Sequence, residues 1–60
     1  MLQESEKLIT IKDVMELLNI SRPTVYRLMD KGDIPSYKIG NQLRFKQSEI
    51  EAYIEESKQT

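Results

Sequence analysis

Cysteine, histidine and tryptophan are all absent from this chain of sixty residues. Without cysteine there is no disulfide and no thiolate metal site. Without histidine the commonest general base and metal ligand is missing. Glycine occurs only at positions 32 and 40, so no phosphate-cradling glycine loop exists. No apolar run approaches the ~20 residues needed to span a bilayer, and the N-terminus shows no secretory-signal pattern. Internal repeats and low-complexity segments are also lacking. An enzyme would need clustered carboxylates or a Ser–Lys pair, and the carboxylates fall on positions expected to be exposed. The expectation is a non-enzymatic protein without metal or cofactor, in a reducing, cytoplasmic setting. A chain of this size makes one small domain that buries only ~60 % of its unfolded surface.

The net charge of −1 conceals a strong asymmetry. From Ile20 to Gln47 six basic residues (Arg22, Arg27, Lys31, Lys38, Arg44, Lys46) stand against Asp30 and Asp33, a local net charge of +4. The flanks hold Lys7, Lys12 and Lys58 against eight acids, a net −5. A polyanion senses the charge within a Debye length of ~8–10 Å, not the total.

Hydrophobic spacing predicts three short helices. Val14, Leu17 and Leu18, with Ile11 ahead of them, follow the i, i+3, i+4 rule that puts side chains on one helical face. Thr10 is the expected N-cap of this first helix, about 11–18. Asp13 sits where a capping-box acid belongs. Val25, Leu28 and Met29 repeat the spacing in a second helix, about 22–30. Ser21 caps it through its hydroxyl, Pro23 occupies its first turn, and Gly32 stops it. Asn19-Ile20-Ser21 is the turn between them, so the pair reads as a helix-turn-helix. The outward face of the second helix carries Arg22, Thr24, Tyr26, Arg27 and Lys31.

The period then changes. Tyr37 to Phe45 reads as a β-hairpin about a Gly-first, two-residue turn at Gly40-Asn41. Pro35 restricts its first strand to an edge or to starting after it. Ile39, Leu43 and Phe45 are expected to pack on the helices, leaving Lys38, Asn41, Gln42 and Arg44 on the tip and outer face. Leu8-Ile9 is a candidate edge strand. Lys46 or Ser48 opens a third helix on Ile50, Tyr53 and Ile54. Its acids Glu49, Glu51, Glu55 and Glu56 read either as a solvated face or as a docking surface for a basic protein. Residues 1–7 and 58–60 are expected to be loose, with a single domain over 8–57. The expected fold class is α+β, mainly α, with the core drawn from Val14, Leu17, Leu18, Val25, Leu28, Ile50 and Ile54.

The stretch TIKDVMELLNISRPTVYRLMDKGDIPSYKIGNQLRFKQSEIEAYI resembles the excisionase-type, MerR-like winged helix-turn-helix modules. The features that carry the resemblance are Ser-Arg-x-Thr-Val-Tyr-Arg at 21–27, Gly-x-Ile-Pro at 32–35, the hydrophobic-Gly wing at 39–40 and Arg-Phe at 44–45. It covers Leu8 to Ile54. The resemblance implies sequence-specific binding of double-stranded DNA, with the second helix in the major groove and the wing on the backbone or minor groove. Full MerR-type regulators add a long dimerisation helix and an effector-sensing segment, whereas this chain ends at Thr60. An excisionase-like recombination directionality factor, or a small transcriptional regulator, is therefore expected. Its implied partners are double-stranded DNA and either a recombinase such as an integrase or further copies of itself on adjacent sites. The implied setting is the nucleoid, with no membrane.

Under that reading Arg22, in the first helical turn, is expected to reach base edges, where an Arg fork matches guanine O6 and N7. Arg27 divides between groove and phosphate. The Tyr26 hydroxyl is expected on a phosphate, a contact that positions without specifying. Thr24 either touches a thymine methyl or serves the cap, and Ser21 and Lys31 complete the helix set. Lys38, Asn41, Gln42 and Arg44 form the wing set. Thr10 either binds a phosphate at the first helix's N-terminus or only caps it. The competing reading is a protein-interaction adaptor that uses the acidic third helix.

Overall fold

The computed structural model describes residues 7–58. The segments expected to be loose lie outside these residues, apart from Lys7 and Lys58 at their inner ends. Six elements follow in order: β1 (Leu8–Ile9), α1 (Ile11–Leu18), α2 (Arg22–Lys31), β2 (Tyr37–Ile39), β3 (Gln42–Lys46) and α3 (Gln47–Glu56). The strands form one antiparallel sheet in the order β1-β3-β2. This is a winged helix-turn-helix: two helices joined by a tight turn, then a hairpin wing, then a third helix.

Local chemistry sets each boundary. The Thr10 amide donates to Asp13 Oδ2 at 3.1 Å, and the Asp13 amide donates to Thr10 Oγ1 at 3.2 Å. This reciprocal capping box satisfies two donors that α1 cannot pair internally. The Asp13 carboxyl is lowered from its ordinary value, first by the Thr10 amide and then by its hydroxyl. α1 ends at Asn19, whose φ of 57° is left-handed. Asparagine is among the few non-glycine residues that adopt that region readily. The Asn19 and Ile20 amides both donate to the Met15 carbonyl, which folds the chain back toward α2.

α2 begins at Ser21, but not through the predicted bond. The Ser21 hydroxyl makes no capping hydrogen bond; it lies 3.1 Å from the Thr24 hydroxyl instead. The two hydroxyls bond to one another, so Ser21 does not satisfy a first-turn amide of α2. The far end closes with Gly32 at φ +80°, and the Asp33 amide reaches back to the Leu28 carbonyl at 2.9 Å. This left-handed termination turns the chain so that Ile34 enters the core.

The hairpin has the expected two-residue turn, with Ile39 paired to Gln42. Gly40 has φ +63°, whereas Asn41 is not in the positive region, which is the Gly-first pattern of a type II′ turn. β1 pairs Ile9 with Phe45 and Leu8 with Lys46, and the Gln47 amide extends this ladder to the Lys7 carbonyl at 3.0 Å. α3 starts straight from β3 at Lys46, without a side-chain cap.

The core is Ile9, Val14, Val25, Ile34, Phe45 and Ile50. Every element except β2 contributes to it, along with the loop residue Ile34. Leu18, Leu28, Leu43 and Tyr53 pack around its edge. Three expected core positions differ. Leu17 and Ile54 are exposed, and Ile39 is 54 % exposed. On α1 the buried stripe runs through Ile11, Val14, Met15 and Leu18, so it is rotated toward Met15 and leaves Leu17 at its margin. Ile54 sits in the last turn of α3, where it lines an open apolar groove together with Leu17.

Ile39 differs for a reason of register. Residues directly opposite on antiparallel strands share a face. The pairs Tyr37–Arg44 and Ile39–Gln42 therefore lie on one face, and Lys38–Leu43 on the other. Ile39 is turned outward with Gln42 and Arg44. Lys38, expected on the outer face, shares the side of Leu43.

Candidate nucleic-acid interface

α2 presents its polar side because Val25, Leu28 and Met29 commit the other side to the core. At 100° per residue, Tyr26, Arg27 and Asp30 lie on the arc away from Val25. All three are exposed, Tyr26 at 44 %, while the other two tyrosines, Tyr37 and Tyr53, are half-buried. Arg22 projects exposed from the first turn. Lys31 forms a surface ion pair with Asp33 at 3.4 Å, so its charge is partly answered within the protein. Thr24 is placed differently. It is half-buried, bonds to Ser21, and lines an apolar groove with Leu18, Ile20, Leu28 and Tyr53. The second helix thus brings Arg22, Tyr26 and Arg27 into the open and turns Thr24 toward α1 and α3.

The wing divides by face. Asn41 sits at the turn and Gln42 beside it, both exposed. Arg44 is half-buried; its guanidinium donates to the Leu43 carbonyl at 2.8 Å and to the Gln42 side-chain oxygen. These bonds hold the cation along the strand in a fixed orientation. Lys38 is exposed on the opposite face. Thr10 lies apart from both groups, and its hydroxyl is occupied by the Asp13 amide. The Asp13 carboxylate already places a negative charge at the N-terminus of α1, so capping accounts for Thr10 without a ligand.

One cluster went unforeseen. The Tyr37 hydroxyl donates to Glu49, with both carboxylate oxygens at 3.0 Å. Lys46 Nζ stands 5.1 Å from the Tyr37 ring centroid. Glu49, expected on a solvated face, is half-buried and joins α3 to the base of the wing. Glu51 is also engaged, by the Gln47 amide group at 3.0 Å. The turn length contained the signal: a two-residue turn pairs Tyr37 with Arg44, and that puts the ring on the same side as Lys46.

Among the described residues no group of His, Cys, Asp and Glu is arranged to hold a metal ion. No described helix is long and apolar enough to cross a membrane.

Fold and exposed surface together define a winged helix-turn-helix with a basic second helix and a polar wing. A family model described as a helix-turn-helix domain matches residues 8–58. The chain belongs to that family. It is 41 % identical over 44 residues to the uncharacterized protein YvgK of Bacillus subtilis, covering 73 % of this chain and 14 % of the relative. It is 33 % identical over 60 residues to the transcriptional repressor DcmR of Methylorubrum extorquens, covering 97 % of this chain and 23 % of the relative. A putative DNA-binding protein of Mycobacterium tuberculosis, Rv0500A, is 31 % identical over 55 residues, covering 92 % of this chain and 70 % of the relative. The chain therefore spans only a small part of the first two relatives. No solved structure matches it.

Proposed function

We propose that this chain binds double-stranded DNA sequence-specifically, with α2 in the major groove and the wing on the backbone or minor groove. The observation that carries the reading is the exposed set Arg22, Tyr26 and Arg27 on the second helix of a helix-turn-helix, within the stretch Ile20 to Gln47 whose net charge is +4. Duplex DNA carries a phosphate charge every ~1.7 Å, and cations on one helical face gain by releasing its counterions. Arg22 is the base-reading residue, because N-terminal residues of a recognition helix meet base edges. Tyr26 and Arg27 anchor α2 on phosphates. Asn41, Gln42 and Arg44 form the wing contact, and Lys38 adds charge from the other face of the hairpin. Ser21, Thr24 and Lys31 have a secondary part, since each is already bonded within the fold or beside it.

The role favoured is that of a small transcriptional regulator. A relative named as a transcriptional repressor aligns over nearly the whole chain, and another is named as a putative DNA-binding protein. The alternative of an adaptor acting through α3 has less support, because Glu49 and Glu51 are engaged within the fold. A single module of this size buries ~600–1,000 Å² of its own surface on DNA, so paired or repeated sites would raise occupancy through effective concentration.

The test is fluorescence anisotropy with a labelled duplex, preceded by selection of bound sequences from a random pool. Neutralising four to six phosphates gives a slope of log K against log salt of roughly −4 to −5. A flat salt response, or a pool with no enriched sequence, would contradict the reading.

A further inference from the structure

We infer that Tyr37 and Glu49 are positioning residues for the wing: their contact fixes the tilt of the hairpin against α3 and so holds Asn41, Gln42 and Arg44 in register with DNA. The inference rests on the proposed DNA-binding function and adds a device that sets its geometry.

Packing anchors the two strands of the hairpin unequally: β3 is seated through buried Phe45 and its pairing with β1, whereas β2 and the turn are not. β2 is an edge strand of three residues and places no residue in the core. Lys38, Ile39, Gly40, Asn41 and Gln42 are all exposed, so the tip touches little of the body. Beyond its ladder to β3, the outer strand therefore depends on what Tyr37 contacts. Tyr37 is the one β2 residue that is not exposed.

The anchor at the other end is rigid. Glu49 lies in the first turn of α3, next to Ile50, which is fully buried. Both carboxylate oxygens lie 3.0 Å from the Tyr37 hydroxyl, so its one proton is shared between two acceptors on the same helix. Lys46 over the ring face restrains the same side chain from above. Across the ladder, Tyr37 is paired with Arg44, so the clamped residue and the wing cation lie on one face. The strand that carries the guanidinium is already seated through Phe45, so fixing Tyr37 sets how β2 and the turn lie beside it. The wing is positioned from α3, an element that itself touches no DNA in the proposed mode.

Three variants separate positioning from charge. Tyr37→Phe removes the hydroxyl and leaves the ring under Lys46. Glu49→Ala removes the acceptor. Glu49→Gln keeps an acceptor oxygen and removes the negative charge. With the selected duplex as probe, Tyr37→Phe and Glu49→Ala are each expected to raise Kd by ~3–10-fold. The salt slope should flatten by ~1, as one wing phosphate contact is lost. Glu49→Gln should bind at least as well as the wild type. In a Lys38→Ala/Asn41→Ala/Gln42→Ala/Arg44→Ala background, where the wing has already lost its contacts, Tyr37→Phe should add nothing, because coupled residues are not additive. Affinities are compared at a temperature where circular dichroism shows each variant folded, and Glu49→Ala carries the same test if Tyr37→Phe is unfolded. Wild-type affinity in both Tyr37→Phe and Glu49→Ala would overturn the inference. So would a Tyr37→Phe loss that persists undiminished in the wing-stripped background, or a Glu49→Gln defect equal to that of Glu49→Ala. Failure of the wild type to bind any duplex would instead overturn the proposed function itself, and the two failures are distinct.

Discussion

Replacing Gly40 tests how far one backbone angle governs the wing. Its φ of +63° lies where an L side chain crowds the backbone, while a Cβ added there meets nothing within 4 Å. Space is therefore not the obstacle; chirality is. An L-alanine should cost about 1–2 kcal/mol for the unfavourable φ. It recovers a part, ~0.4–1 kcal/mol, because alanine reduces the freedom of the unfolded chain. The net loss is on the order of 1 kcal/mol. A domain of sixty residues has a total stability of ~3–9 kcal/mol at 0.05–0.15 kcal/mol per residue. With a urea m-value near the small-protein limit of ~1 kcal/mol/M, the midpoint should fall by ~1 M. A chain of this length can be made by chemical synthesis, so D-alanine can be placed at the same position. The D-residue adopts positive φ without strain and retains the entropic benefit, so its midpoint should rise. Urea unfolding followed by circular dichroism reads both. Equal midpoints for the L- and D-alanine forms would refute the turn geometry on which the wing's register depends.

Other expectations follow from the same structure. Phe45 is fully buried and pairs with Ile9 across the sheet. Phe45→Ala should cost ~3–5 kcal/mol, most of the stability available, and circular dichroism should show the variant largely unfolded at 25 °C. The Asp13 carboxyl is lowered in the folded state by its bonds to Thr10, so it stabilises the fold above the ordinary carboxylate range. That contribution is lost as pH falls through the folded value. Asp13→Ala should leave a shallower acid dependence in urea titrations at stepped pH. On DNA, Arg22→Ala should relax preference at one base pair by ~1–3 kcal/mol, whereas Lys38→Ala should weaken all sequences alike. Competition titrations with single-base variants of the selected site distinguish these patterns.

The elements easiest to read in the sequence were those specified by local chemistry. The Thr10–Asp13 box, the stop at Gly32 and the turn at Gly40-Asn41 each follow from a few adjacent residues, and each is present. The faces were harder. Val14, Leu17 and Leu18 define a stripe equally well with or without Met15, and only packing against β3 and α2 decides its centre. Ile34 is buried although Pro35 breaks the strand pattern beside it, because the left-handed ending of α2 directs it inward. Ile39 and Lys38 were assigned to opposite faces from those they occupy, since hydrophobicity was weighed above register. The turn length alone pairs Ile39 with Gln42, and parity then settles both residues. The exposed basic set on α2 was legible because charge asymmetry and helical period agree there. The bond from Tyr37 to Glu49 spans twelve positions and joins two elements whose relative placement no local pattern reveals.

Amide chemical-shift mapping with a nitrogen-labelled chain and the selected duplex tests the central claim most directly. In dilute buffer, the resonances of α2 and of residues 37–46 should move on addition of DNA, with Arg22, Tyr26, Arg27 and Asn41 among the most affected. Perturbation confined to α1 and α3, or none at all, would contradict it.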